Sequence, residues 1–513
     1  VTQITRELRT DCVVVGSGAG GAVTAYYAAR AGHQVTIIER GRWVRPEDMP
    51  KGEMEALATL YKDGAAQMNS AVTMALLQGS CVGGSTVLAN VVCFRLPETV
   101  RQAYASFGLE LPRSELDASY ERVESVLNVH ETREELLNPV AFKLERGMRS
   151  LGFEPKRFRH AVQDCVGCGE CNLGCRYGAK MDASRTWLPM AVERGAEVLT
   201  QTEAVQLEVT RGRVTGLICR DLSSGEGLRV VADRYVLSGG AINTPEILLR
   251  SRILPQRAGR RMSLNSGAMM VAEYPEPVDA FDGIQMGVYL EHERYTIEQL
   301  HNPYLSFCMS QPIWLDQLRD QRPDHYRFLT SCGVLTPTES VGRVFLHPLR
   351  KLLPSLFQRA EIKFRLPDTD RRTMVDGYKQ LARIYLASGA KHVYAPTHHR
   401  VAISSPDEVN MLDEALHDAS AIAGLGSAHP QGGAALGDDP RRDVVGPDYR
   451  VYGHENLYVM DASIFPTSMG VNPMLTIMAV ADYASQFIVG ERPPAVIEEG
   501  PAFAARQSCA ALS

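Results

Sequence analysis

Cys165, Cys168, Cys171 and Cys175 stand in the segment CVGCGECNLGC at C-x2-C-x2-C-x3-C spacing. Thiolates at these intervals, with Gly167, Gly169 and Gly174 between them to let the loop close, form the ligand pattern of an iron–sulfur cluster, [4Fe–4S] or [3Fe–4S]. Two readings compete with it: zinc, which thiolates of C-x2-C type also bind, and reduced cysteines that hold nothing. The three-fold repeat is denser than paired zinc knuckles and favours the cluster. Arg176 argues the other way, because the bacterial run places proline there.

A second chemistry stands at the start of the chain. DCVVVGSGAGGAVTAYYAARAGHQVTIIER, from Asp11, reads strand, glycine turn, helix, strand. Gly16, Gly18 and Gly21 give GxGxxG in that context. The first glycine permits the tight turn, the second lets a pyrophosphate approach the backbone, and the third lets helix pack on strand. Ala22 to Ala31 supplies the helix, whose free N–H groups and positive dipole end suit phosphate, and Ala19 in the turn before it is counted with the cofactor-binding residues. Glu39, at the end of the second strand, is placed for ribose hydroxyls and opposes a 2′-phosphate, which disfavours NADP. The motif alone does not separate FAD from NAD.

These groups must be positioned by a chain of 513 residues, too long for one simple core. Hydrophobic residues make up 45% and charged residues 22%, the balance of a globular protein. A net charge of −6 without a basic block disfavours nucleic acid. No apolar run is long enough to span a bilayer, and the opening VTQITRELRT lacks the apolar core of a secretory signal. Of 11 cysteines, those outside the string are scattered singly, and the odd total argues against a disulfide framework. A reducing, cytoplasmic setting is expected, with a membrane-peripheral enzyme or export alongside a partner as alternatives. Strand-like YVLSGGA at Tyr235 leads into a helix expected after Pro245, and NLYVMDASIFP at Asn456 leads into NPMLTIMAVADYAS. Nucleotide-domain elements thus recur at beginning, middle and end, so a second domain must be inserted between them. The expected division is 1–100, 185–260 and 425–490 for the nucleotide domain and 101–184 for a helical linker with the cysteine segment. The remainder is 261–424 for the substrate domain and 491–513 for a tail.

The stretches GSCVGGSTVLAN (79–90), SGGAINTPEILLRS (238–251) and NLYVMDASIFPTSMGVNPMLTIMAVA (456–481) resemble the glucose–methanol–choline (GMC) flavoprotein family, in its order and approximate spacing. GCRYGAKMDASRTWLPMAVERGAEVLT is similar to its long-chain alcohol oxidase branch, and AHPQGGAALG with GVNP is similar to both that branch and the cholesterol oxidase branch. The resemblance implies an α/β fold, a Rossmann-like FAD-binding domain with an inserted α+β substrate domain. It places Gly83, Gly84 and Asn90 beside the flavin ring, and Asp461 and Ala462 against the pyrophosphate and ribityl chain. It also carries Val205, Pro473 and Met474 into the cofactor site. Some relatives tether FAD through a histidine in the first loop. Thr86, Val87 and Leu88 offer none, so the FAD is expected to be non-covalent.

Removing hydride from an alcohol carbon requires a base for the hydroxyl proton, and neutral imidazole suits that task. Among 13 histidines, His429 sits in the glycine-rich bend GLGSAHPQGGAALG and matches the family's active-site histidine. Asn472 matches the partner position, where an amide orients the substrate oxygen. A helix N-cap before Pro473 is its rival role. The expected function is FAD-dependent oxidation of a hydrophobic alcohol, hydride passing to flavin N5 with His429 as base. Electrons then leave through the cluster to a redox partner protein, cytochrome or quinone. Alternatives are an oxygen-using alcohol or sterol oxidase without a cluster, a flavin-dependent reductase or desaturase, and an electron-transfer subunit with a vestigial pocket. Apolar stretches around Met262–Met286 and Tyr304–Trp314 suit a greasy substrate, though such residues usually form core.

Overall fold

The computed structural model describes residues 3–311, 324–352 and 359–497; Trp314 and most of the expected tail lie outside them. Cys12 to Val15 are buried almost completely, as an apolar run of β-branched residues in a parallel sheet demands. They end the strand Ile4–Val15, which pairs in parallel with Val35–Ile38 on one side and Gly227–Leu237 on the other. Glu197–Leu199 extends the sheet beyond Val35–Ile38, and Leu457–Val459 pairs with the end of Gly227–Leu237. An antiparallel hairpin, Thr202–Thr210 with Arg213–Asp221, completes seven strands. Helices Ala19–Arg30 and Met474–Ile488 pack together beside this sheet, and nearly every residue of each is buried.

The second sheet has twelve strands among the described residues. Arg260–Gly267 pairs antiparallel with Gly426–Gly433, setting Asn265 opposite His429. Thr296–Gln299 pairs with Leu329–Pro337, setting Glu298 opposite Gly333. The long helix Asp368–Ala387 covers this sheet, burying Met374, Tyr378, Leu381 and Tyr385. Residues 426–433 therefore belong by pairing to the second sheet, although they fall within the segment expected for the nucleotide domain. The helix expected after Pro245 begins earlier, at Gly240, and runs to Arg250 with Pro245 inside it. Pro245 is the sixth residue of this helix, and its ring packs against Gly433; a Cβ on that glycine would sit 2.7 Å from Pro245 Cγ.

Two ends of the chain meet where the first sheet's glycine turn touches the third nucleotide segment. A Cβ on Gly20 would lie 2.1 Å from the carbonyl oxygen of Met460, a backbone atom that cannot swing aside. Replacing Gly20 with Ala should therefore force this helix away from the 460–462 turn. The expected result is a loss of about 1–3 kcal/mol, the usual cost of overpacking, read as a lower thermal midpoint. An unchanged midpoint would contradict the close approach.

Candidate active site

The sequence folds its glycine turn as the spacing demands. Gly16 has φ of +100°, and a Cβ there would strike the Ser238 carbonyl at 2.3 Å. Gly21 lets the helix settle onto the turn, since a Cβ would meet the Gly16 carbonyl oxygen at 2.0 Å. At Gly18 a Cβ would meet nothing within 4 Å, so open space lies beside the helix N-terminus. The first turn of that helix has no acidic residue and no side-chain cap, which leaves its N–H groups free for an anion.

Glu39 is buried beside this turn, and burial pushes its carboxyl pKa up. Its oxygens accept from Ser17 N (3.1 Å), Ser17 Oγ (2.6 Å) and Gly41 N (2.8 Å). Ser17 Oγ in turn accepts from the Gly83 N–H at 3.0 Å, tying the acid to the 83–88 loop. Asp461 is held likewise: Gly240 N (2.8 Å), Thr244 Oγ1 (2.5 Å) and Ser463 N (2.7 Å) all donate to it. In the 83–88 loop, the Thr86 hydroxyl donates to Gly83 O at 2.7 Å and accepts from Ala183 N, while Val87 and Leu88 are buried.

A cavity of about 920 Å³ runs from this turn into the second sheet, roughly the upper size of a cofactor or ligand pocket. Gly16, Gly18, Ala19, Glu39, Gly84, Asn90, Asp461 and Ala462 line its nucleotide end. His429, Asn472, Pro473 and Met474 line the other end. Gly21 and Gly83 stand behind the wall, where their lack of a side chain serves packing. Val205 does not reach the cavity. A register shift between Ala204 and Gln206 bulges the strand there, and Thr202, Glu203 and Ala204 line the space instead.

The catalytic end is built from two separate segments. The His429 N–H donates to Ser427 Oγ at 3.1 Å, and Ser427 Oγ donates to the Asn265 carbonyl at 2.6 Å. Asn265 and Gln431 reach across to the 468–472 loop, which carries Asn472. Asn265 Nδ2 donates to Val471 O (2.7 Å), its Oδ1 accepts from Gly470 N (3.2 Å) and from the Ser468 hydroxyl, and Gln431 Oε1 accepts from Met469 N (3.0 Å). Burial holds the His429 pKa down at about 4, so the imidazole is neutral at physiological pH. Its buried Nδ1 has no hydrogen-bond partner, and neither has Asn472 Oδ1. Asn472 does not cap the following helix: Pro473 occupies the cap position and no side-chain cap bond forms.

Glu298 completes this wall and was not singled out from the sequence. It is 3% exposed, its Oε1 is unpartnered, and it lines the cavity. Burial pushes its pKa up to about 8, and Asn472 beside it partly offsets that by hydrogen bonding. Only tertiary pairing identifies it, because YTIEQLH reads as an ordinary alternating strand. Gly20 and Asn265 were likewise missed, since each acts through a backbone contact distant in the chain.

The four cysteines sit together on one side of the cavity. All four line a small space of about 20 Å³ that shares Val91 with the large cavity. Among the described residues no three His, Cys, Asp or Glu side chains are grouped to hold a metal ion, so the four-thiolate cage expected from the spacing is not formed around a single point. Also among the described residues, no helix is long and apolar enough to cross a membrane.

Comparison with known proteins accords with this geometry. Residues 57–266 and 338–481 match the GMC oxidoreductase family, and residues 14–44 match an NAD(P)-binding Rossmann-like domain. Long-chain-alcohol oxidase FAO4A of Arabidopsis thaliana is 27% identical over 93% of this chain and 68% of its own length. Cholesterol oxidase of Acinetobacter baumannii is 24% identical over 93% of this chain and 94% of its own. The crystal structure of pyridoxine 4-oxidase from Mesorbium loti superposes with a TM-score of 0.73 at 17% identity, covering 94% of this chain and 99% of that one. That likeness speaks for the fold alone. None of these matches bears on the iron–sulfur expectation.

The raised pKa of Glu298 has a measurable sign. A carboxyl ionised above about pH 4 when unfolded but protonated up to about 8 when folded makes folding bind a proton, so it lowers stability progressively across that window. Glu298→Gln removes this loss. The thermal midpoint of the variant should gain on that of the wild type as pH rises from 5 to 8. A constant difference across the window would mean that Glu298 ionises normally.

Proposed function

The chain belongs to the GMC oxidoreductase family of FAD-dependent enzymes, and on that premise we propose that it oxidises a hydrophobic alcohol with His429 as the base. The observation that carries this reading is the single cavity joining the glycine turn to His429, Asn472 and Glu298. The residues present suit FAD. Gly18 leaves space at a helix N-terminus, and the long cavity has room for a flavin beyond the nucleotide end. Glu39, Gly84, Asn90, Asp461, Ala462, Pro473 and Met474 are the groups that would hold it. With the Thr86 hydroxyl engaged and no histidine between Thr86 and Leu88, attachment is non-covalent. Bound FAD supplies a hydride acceptor.

The chain's own residues supply the rest. His429 is neutral because it is buried, so it accepts the hydroxyl proton without first losing one. Asn472 donates from its amide to the substrate oxygen and fixes that oxygen beside the imidazole. Glu298, protonated at neutral pH, can donate rather than only accept, and it adds no negative charge to repel a developing alkoxide. Met68, Met269, Met286 and Met309 line the cavity. Methionine fits irregular aliphatic shapes, which favours an apolar, flexible substrate. The names of the alcohol and cholesterol oxidases point the same way, and they support molecular oxygen as an electron acceptor.

His429→Ala should retain FAD yet slow reduction of the bound flavin by alcohol about 10²–10⁴-fold, the usual contribution of a general base. Anaerobic stopped-flow absorbance reads this directly. Asn472→Ala should cost less, since it loses orientation and one hydrogen bond. Near-normal reduction in His429→Ala would remove the imidazole from the mechanism.

A further inference from the structure

Lys62 lines the large cavity and is only 6% exposed. Its Nζ donates to Asn243 Oδ1 at 2.5 Å, which uses one of the three ammonium donors. Arg40, Arg250 and Arg359 line the same cavity. Each of these arginines pairs with a carboxylate: Arg40 with Glu203 at 3.7 Å, Arg250 with Glu246 at 2.5 Å, and Arg359 with Asp63. Among the described residues Lys62 forms no such pair. The acids whose charges it feels, Glu246 and Asp63, are taken by Arg250 and Arg359. A buried ammonium is costly unless it meets a counter-charge.

Two series of contacts join Lys62 to the glycine turn. Its backbone N–H donates to Gln78 O at 2.9 Å. The next residue, Gly79, is packed so closely that a Cβ would meet the Gly84 carbonyl carbon at 2.5 Å, and a Cβ on Gly84 would sit 3.1 Å from Gly18 Cα. On the other side, Asn243 Nδ2 donates to Gly239 O at 2.9 Å. Gly239 N lies 3.2 Å from the place a Cβ on Gly16 would take. Both series end at the turn where the helix Ala19–Arg30 presents its uncapped N–H groups.

We propose that Lys62 is a further cofactor-binding residue, whose ammonium holds the diphosphate of the dinucleotide against the glycine turn. The identity of that dinucleotide rests on the flavin reading above. A helix N-terminus offers about half an elementary charge, whereas a diphosphate is a dianion. Glu39 and Asp461, at the same end of the cavity, add no positive charge, and the arginines are already neutralised. Lys62 supplies the full cation that is otherwise missing. The segment that carries it also brings Leu57, Met68 and Val72 to the cavity wall, so the ammonium ties that wall to the cofactor.

The full chain stripped of flavin and titrated with FAD reads the assignment through quenching of flavin fluorescence. Lys62→Met keeps the aliphatic stem and removes the charge. It should weaken FAD binding about 10–100-fold, the worth of a hydrogen bond to a charged group. ADP, used as a competitor, should weaken by a similar factor, and adenosine should not. Lys62→Arg should restore most of the affinity. The flavin-free Lys62→Met protein should melt no lower than the flavin-free wild type, because it no longer buries an ammonium without a carboxylate. Should Lys62→Met fail to fold, Asn243→Asp gives the ammonium an internal counter-ion and carries the same expectation for FAD and ADP. Unchanged FAD affinity, or an equal loss for adenosine, would overturn the role of Lys62 while leaving the flavin reading in place. Wild-type protein that takes up no FAD would overturn both.

Discussion

The buried carboxamide of Asn265 holds the active site in register. His429 and Asn472 lie on segments that share no strand, and nothing in the local backbone fixes the distance between them. Asn265 sits opposite His429 in the sheet and spends its carboxamide on Val471, Gly470 and Ser468. Gln431, fully buried, repeats the device from the partner strand, two residues beyond His429, by accepting from Met469. Each bond to a buried backbone group matters doubly, since leaving such a group unpaired costs about 1–3 kcal/mol. The two amides thus make the 468–472 loop part of the second sheet's edge. The helix Met474–Ile488, which follows directly, belongs to the first layer. The active site is the seam between the layers, and these amides close it.

Within that seam, polar groups are left without partners. His429 Nδ1, Asn472 Oδ1 and Glu298 Oε1 are all buried and unpartnered, whereas Glu39 and Asp461 at the nucleotide end have every carboxylate oxygen engaged. Buried polar atoms are almost always paired, so unsatisfied ones on a cavity wall signal an intended partner or a functional strain. The contrast divides the cavity by task. The nucleotide end is structurally complete and presents N–H groups and shape. The far end is chemically incomplete, and burial sets its protonation states by pushing His429 down and Glu298 up. One dry environment yields a neutral base and a neutral acid side by side.

The parts readable from sequence are those whose physics is local. GxGxxG with its strands, the final helix after Asn472 and the histidine in a glycine-rich bend each show their function within a dozen residues. The helix at Gly240 begins earlier than expected because proline favours the first helical turn, whereas Pro245 lies inside this helix with its ring against Gly433. At Val205 a bulge shifts the strand by one residue, and one residue reverses the face a side chain presents, so its neighbours Glu203 and Ala204 line the cavity instead. Glu298 and Asn265 gave no local sign at all. A glutamate in an alternating strand reads as solvent-facing until the sheet that buries it is known, and an asparagine's partners 200 residues away cannot be inferred from its neighbours.

The cysteine string shows the limit of spacing as a guide. Spacing alone specifies which thiols can converge on a loop, but not how closely the surrounding fold draws them. Here the fold fixes the string at two adjacent residues, through Asn172 on Gln285 and Lys180 on the Cys171 carbonyl, while Cys168 is exposed. Both anchors lead to the loop carrying Gly84 and Asn90, through Val87 O and the Asn90 amide. Burial keeps the thiol pKa of Cys171 up at about 12, which makes the free thiolate costly and a reactive role in isolation unfavourable.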